Sequence, residues 1–243
     1  MRKIFTNSAL THLKITGDDH KHVALVLRAK VGESLIVCTG DGYDYTYKIE
    51  SISKNETALL QIDKTPNITE PTINITLFTA ILKGDKNEDV VRGCTELGVK
   101  TFVPFTSEFV SAHSYKQDRM QKIALEAAKQ SGRGMVPSIK NTLDFNAMCG
   151  IVKDFDLILF FYEGEPATSI KSFLKDKFKD SANKNIKNIA VIIGSEGGFS
   201  KKEVLALQDA GATPITMGKR ILRSATAAVT ACALVLYEAG QML

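Results

Sequence analysis

The sequence predicts an α/β protein whose larger part is a mostly parallel sheet covered by helices, preceded by a small β-barrel domain. Three observations carry that expectation. From Ser34 to Ile62 short apolar runs alternate with turn residues. From Ile73 onward apolar strands alternate with stretches of helical spacing, the pattern of parallel strands covered on both faces. Between them, Pro66-Asn67-Ile68-Thr69-Glu70-Pro71 is polar and twice interrupted by proline, as a linker is. The expected domains are residues 1–70 and 71–243.

In chain order, Asp18-Asp19 can cap a short helix in which Val23, Val26 and Leu27 recur at helical spacing and which carries Lys21, Arg28 and Lys30. The strands SLIVC, YDYTYKIESI and TALLQI follow, punctuated by Thr39-Gly40-Asp41-Gly42 and Lys54-Asn55-Glu56. Beyond the linker come a strand over 73–80, a helix over 86–97 closed by Gly98 in the C-cap position, and a strand over 101–104. A helix over 117–130, a strand over 157–161 and a Lys-rich helix come next. The last elements are a strand over 189–193, a helix over 202–209, a strand over 214–217 and a helix over 225–239. That final helix is apolar on nearly every side, which predicts burial around most of its circumference. The lysines between Lys171 and Lys187, Lys184 included, read most simply as a solvated helix face.

Composition excludes several classes. Hydrophobic residues at 44% and charged residues at 24% are ordinary globular values. No apolar run reaches the roughly 20 residues of a membrane span, and the first ten residues lack a signal-peptide core, so the expected location is the cytoplasm. Cys38, Cys94, Cys149 and Cys232 stand far apart with no C-x-x-C pair, and His20 and His22 would point to different helix faces, so neither disulfides nor a metal site is expected. The net charge of +4 is modest, and residues 1–70 hold nine basic and nine acidic side chains. If nucleic acid binds there, a local patch must hold it.

Three loops stand where strands end in the second half, the place at which open α/β sheets gather ligands. They are Tyr162-Glu163-Gly164-Glu165, the run from Ile193 through Gly194, Ser195, Glu196, Gly197 and Gly198 to Ser200, and the run from Met217 through Gly218, Lys219, Arg220, Ile221 and Leu222 to Arg223 and Ser224. Three glycines in five positions let backbone amides approach a ligand closely, and a nucleoside or nucleotide is the natural guest. The same run also serves as a tight strand-to-helix turn, with Ser200 as N-cap and Glu203 in capping-box position. Neither G-x-G-x-x-G nor G-x-x-x-x-G-K-[ST] occurs, which removes the main support for a dinucleotide or P-loop site.

Taken together, His22-Val23-x-x-Val26-Leu27-Arg28, Thr95-Glu96-Leu97-Gly98-Val99, Gln130-Ser131-Gly132-Arg133 with Pro137, Ile193-Gly194-x-Glu196-Gly197-Gly198 and Gly218-x-Arg220-Ile221-Leu222-Arg223 resemble the bacterial 16S ribosomal RNA uridine N3-methyltransferases of the SPOUT superfamily. The resemblance runs nearly end to end. It implies a PUA-like N-terminal RNA-binding domain, a C-terminal domain with a deep trefoil knot, a homodimer, and S-adenosylmethionine as cofactor. Carried over by position, it implies a cofactor site of Phe161, Tyr162, Ile193, Gly194, Ser195, Glu196, Gly197, Gly198, Met217, Gly218, Arg220, Ile221, Leu222, Ser224 and Ala227, with backbone around Gly194, Gly198, Met217 and Leu222 reading the adenine. RNA contacts fall on Arg2, Arg28, Lys83 and Arg133, and the implied partner is 16S RNA within the small subunit.

Uracil N3 becomes a nucleophile only when its proton leaves and charge spreads onto the flanking carbonyl oxygens. Arg223 is the expected catalytic cation for that charge. Glu196 accepts the proton or orients the base, unless it only binds its own loop's amides. Two positions depart from the family: Ala225 stands where the motif Leu-Arg-x-Glu-Thr-Ala has its carboxylate, and Ser195 stands where proline is usual. Ala225 gives weight to an RNA-binding protein that no longer transfers methyl groups. A related ribose 2′-O-methyltransferase is the rival within enzymes, and a Rossmann oxidoreductase lacks its glycine fingerprint.

Overall fold

The computed structural model describes residues 3–111, 114–164, 167–179 and 186–242. Arg2, Glu165 and Lys184, named above, lie outside them. The chain forms two compact units: residues 1–70 with 128–136, and residues 71–127 with 137–243. The sequence division at 70/71 thus meets a segment, 128–136, that groups with the first unit.

The first unit is a five-stranded sheet in the order β1-β3-β4-β5-β2, built from β1 (Lys3–Phe5), β2 (His12–Thr16), β3 (Ser34–Cys38), β4 (Tyr43–Ile52) and β5 (Glu56–Pro66). β1 pairs parallel with β3; every other pairing is antiparallel. Alternation along β4 buries Tyr45, Tyr47 and Ile49 against Ile4, Val23, Leu35, Val37 and Leu59, which form this unit's core. β1, with three residues, is too short for a periodicity reading, and β2 fully buries only Ile15, so neither shows a clear alternation.

Between β2 and β3 the helix α1 (Gly17–Lys21) starts at Thr16, so Asp18 and Asp19 occupy the first turn and do not cap it. It runs into a π-helical turn over His22–Val26, closed by the Leu27 amide donating to the His22 carbonyl at 2.8 Å. The wider turn rotates successive side chains away from the 3.6-residue phase. Val23 therefore reaches the core, whereas Val26, expected beside it, is 68% exposed. His20 is buried and bonds the Thr57 hydroxyl at 2.9 Å, a role within the fold.

Arg133, expected to touch RNA, is 2% exposed. Its Nε and Nη2 donate to Glu70 at 3.1 and 2.7 Å, and the same carboxylate accepts the Gly134 amide at 3.0 Å. A guanidinium so enclosed holds residues 128–136 to the end of the linker, and the RNA assignment is corrected to a structural one. Cys38 is likewise interior: burial pushes its thiol up to about 12.

The second unit is an all-parallel sheet in the order β11-β13-β10-β12-β6-β7-β8, with β9 also paired to β7. Its strands are β6 (Asn74–Ala80), β7 (Thr101–Thr106), β8 (Ser138–Ile139), β9 (Leu143–Asp144), β10 (Leu157–Phe161), β11 (Thr168–Ser169), β12 (Asn188–Ile193) and β13 (Thr213–Thr216). Helices α2 (Lys86–Leu97), α3 (Gln117–Ser131), α4 (Phe145–Val152), α5 (Ile170–Phe178), α6 (Lys201–Asp209) and α7 (Ser224–Glu238) connect them. The fully buried LILFF of β10 and the buried core of β12 explain their unbroken apolar runs. Gly98 ends α2 at φ 108°, where a Cβ would lie 2.5 Å from Pro71 Cγ. On α7, Ala227, Ala228, Ala231, Cys232, Val235 and Leu236 are buried while Tyr237 is 60% exposed. Full burial within the chain falls on one face, while Ala225, Val229, Thr230, Ala233, Leu234 and Glu238 are half-buried.

Candidate active site

β10, β12 and β13 are neighbours in the sheet, so parallel pairing places their carboxyl ends side by side. The three loops named from the sequence leave those ends. They enclose two adjoining depressions of about 220 and 440 Å³. The first is lined by Ile193, Gly194, Ser195, Glu196, Gly198, Phe199, Arg223 and Ser224, the second by Tyr162, Met217, Gly218, Lys219 and Arg220; Phe161, Glu163, Ile221, Leu222 and Ala227 line both. Together they lie within the range of small-molecule sites.

Nearly every residue expected at a cofactor is therefore brought to one place. Gly197 is not: a Cβ there would lie 2.7 Å from Phe109 Cβ, so this glycine gives room to a neighbouring loop. Glu163, Phe199 and Lys219 line the site without having been assigned to it. Phe199 is a core residue whose edge reaches the cavity, a double role that no sequence spacing reveals.

The turn after β12 is held from within and from outside. Ser195, in the place of the family's proline, is buried; its carbonyl accepts the Gly198 amide at 3.0 Å and its hydroxyl the Gly197 amide at 3.3 Å. These bonds fix the bend that a proline ring would otherwise restrict. At its far end Ser200 and Glu203 form a complete capping box on α6, and the second Glu203 oxygen accepts the Glu108 amide at 2.8 Å. The sequence allowed a wholly structural role for this run or a ligand-facing one. The bonds above give it the structural role, and Gly198, at φ 70°, also lines the first depression, where a Cβ on it would lie 3.2 Å from Glu163 Oε1.

Glu196 does not bind its loop's glycines. Its Oε1 accepts the Lys86 ammonium at 2.8 Å and the Lys83 amide at 3.4 Å, tying the turn to the start of α2. Burial alone would raise this carboxyl, but Lys86 and the Glu196 and Lys83 amides hold it below the usual carboxylate range. A depressed pKa means that the tie is present above the ordinary carboxylate range and is lost as pH falls through the lowered value. Arg223 is the N-cap residue of α7, exposed, and among the described residues its guanidinium has no ion pair. Lys83 is exposed next to Glu196, and Arg28 is exposed with φ 49°, the one non-glycine described residue in the left-handed region. Ala225 leaves the start of α7 without a carboxylate.

Comparisons with known proteins agree with this geometry. The family described as RNA methyltransferase domain matches residues 69–236, and the one described as RNA methyltransferase PUA domain matches residues 15–59. Ribosomal RNA small subunit methyltransferase E of Bacillus subtilis is 30% identical over 235 residues, 92% of this chain and 89% of its own. The Rickettsia conorii protein of the same name is 30% identical over 237 residues, 95% of this chain and 93% of its own. Among solved structures, a Legionella pneumophila methyltransferase in complex with bound cofactor SAM has a TM-score of 0.84 at 25% identity over 97% of this chain and 96% of that one. A Neisseria gonorrhoeae ribosomal RNA small subunit methyltransferase E bound to S-adenosyl methionine has a TM-score of 0.83 at 24% identity over 98% and 97%, a likeness of fold.

Proposed function

The chain belongs to the RNA methyltransferase family, with the ribosomal RNA small subunit methyltransferases E among its relatives, and on that premise we propose that it methylates N3 of a uridine in 16S ribosomal RNA, using S-adenosylmethionine. The convergence of the three loops on one cavity carries the reading. S-adenosylmethionine supplies an electrophilic methyl group on a sulfonium sulfur. Its residues fit: Phe161, Ile193, Ile221, Leu222 and Ala227 give apolar walls for a nucleoside, and the irregular backbone of 217–223 keeps its N–H and C=O groups outside any ladder, where they can meet an adenine edge. Gly194 belongs to the same cradle, since a Cβ there would press on Phe199 at 3.1 Å.

Arg223 meets the charge that spreads onto the uracil oxygens as N3 gives up its proton, an effect of about 2.7 to 4 kcal/mol per preorganised donor. Holding the base in line with the methyl contributes roughly 7 to 11 kcal/mol more. Arg28 and Lys83, both exposed, contact the RNA backbone. The half-exposed face of α7, with Tyr237 at its end, is the surface of a homodimer, and the deep trefoil knot of the SPOUT superfamily belongs to the same reading, supported by the return of α7 beneath β12 and β6 after the outlying β13. The substrate sits within the small subunit, in the cytoplasm; among the described residues no helix is long and apolar enough to cross a membrane.

The test is to incubate the protein with labelled S-adenosylmethionine and small subunits that lack the modification, then to identify the labelled nucleoside. N3-methyluridine is expected. A 2′-O-methyl product would make the enzyme a ribose methyltransferase, and cofactor binding without transfer would leave an RNA-binding protein.

A further inference from the structure

Two carboxylates line the cavities among the described residues, and they stand in opposite circumstances. Glu196 is bound to the Lys86 ammonium and the Lys83 amide. Glu163 is exposed, lines both depressions, reaches over Gly198 and has no ion pair or hydrogen bond among the described residues. Arg223 lines the first depression with it and is equally unpaired, and the two do not pair with each other. Opposite charges that share a small cavity without joining can hold between them a guest with both a donor and acceptors. The imide edge of uracil is such a guest, with N3–H as donor and a carbonyl oxygen on either side; cytosine has no hydrogen on N3.

Resting on the uridine N3 reading above, we propose that Glu163, and not Glu196, takes the N3 proton, and that Glu163 and Arg223 together select uracil over cytosine. The N3–H bond breaks and its proton passes to a Glu163 carboxylate oxygen. The electron pair left on N3 forms the bond to the methyl carbon while the carbon–sulfur bond breaks and its pair remains on sulfur. The proton then leaves to solvent, since Glu163 is exposed. The charged groups around Glu163 are Lys219, Arg220 and Arg223 from the loop after β13 and Glu196 from the turn after β12.

The experiment compares the full chain with Glu163→Gln and Glu196→Gln on unmodified small subunits, measuring kcat across pH, with calorimetric titration of S-adenosylmethionine and a circular-dichroism check of folding. Glu163→Gln is expected to lower kcat at neutral pH by about 10²- to 10⁴-fold, the usual worth of a general base. Its cofactor affinity stays within about twofold of wild type by the same separation of binding from turnover, and its rate recovers at alkaline pH, where the imide ionises unaided. Glu196→Gln, which removes the tie to Lys86, shows no such recovery at alkaline pH. Subunits with cytidine at the modified position yield no product with the wild-type chain. Unchanged kcat in Glu163→Gln, a loss without alkaline recovery, a parallel loss of cofactor affinity, or methylation of the cytidine would each overturn the assignment. If the wild-type chain itself puts no methyl on uridine N3, the uridine reading fails instead, and the wild-type control separates the two.

Discussion

Arg223 and Arg133 show how differently one residue type can be used. Arg223 lines the first depression, and in the proposed mechanism it faces a charge that develops only during reaction, so Arg223→Ala should lower kcat on the order of 10²-fold while shifting cofactor affinity little. Steady-state kinetics with a cofactor titration would show it, and equal losses in both would remove its role. Arg133 is enclosed with Glu70, and taking away one partner of a buried pair strands the other. Arg133→Ala should therefore cost about 3 to 5 kcal/mol in denaturant unfolding; unchanged stability with weakened RNA binding would restore the RNA assignment. Arg223 was legible because it adjoins a glycine-marked loop. Arg133 was not, because its partner lies 63 positions away and an arginine reads from sequence as a surface charge. Glu163 lies in a loop the sequence marks as ligand-gathering, but its own role depends on the neighbouring strands' loops, which no local pattern encodes.

Elements marked by local chemistry were readable to within a residue or so. The box on α6 is one case: Ser200, Glu203 and the start of the helix stand as the sequence implies. Ser200→Ala should destabilise by about 1 kcal/mol and loosen the turn after β12. Thermal melts and cofactor affinity, measured together, check this, and an unchanged melting temperature would contradict it. Where tertiary context decides, local reading failed. The π-helical turn after α1 swings Val26 outward, and α4, with its Asp144 cap accepting the Ala147 amide, is a short, largely apolar helix whose spacing does not announce it. The apolar α7 shows the limit of composition: it says that a helix avoids water, not whether its own chain or a second copy covers it.

At the scale of the molecule, alternation of strands and helices announced a parallel sheet, but strand order was beyond it. β12 inserts between β6 and β10, and β13 lies outside β10, an arrangement set by crossover connections that periodicity does not encode. The sharing of residues 128–136 with the first unit was equally hidden, since it depends on the Glu70 pair. If the exposed Arg28 of that unit contacts RNA as proposed, Arg28→Ala should weaken binding to small subunits and lower the dependence of log K on log salt by about 0.7 to 0.9. A filter-binding series across salt concentrations checks it, and an unaltered slope would contradict it. The central claim, one cavity formed by three loops and holding the methyl donor, is tested most directly by calorimetric titration of S-adenosylmethionine into the wild-type chain and into Ala227→Phe, whose ring would intrude where the two depressions share a wall, with thermal melts confirming that the variant folds. One cofactor per wild-type chain and at least a tenfold weaker variant, about 1.4 kcal/mol, is the predicted result. Equal binding by the two proteins, or none by the wild type, would contradict it.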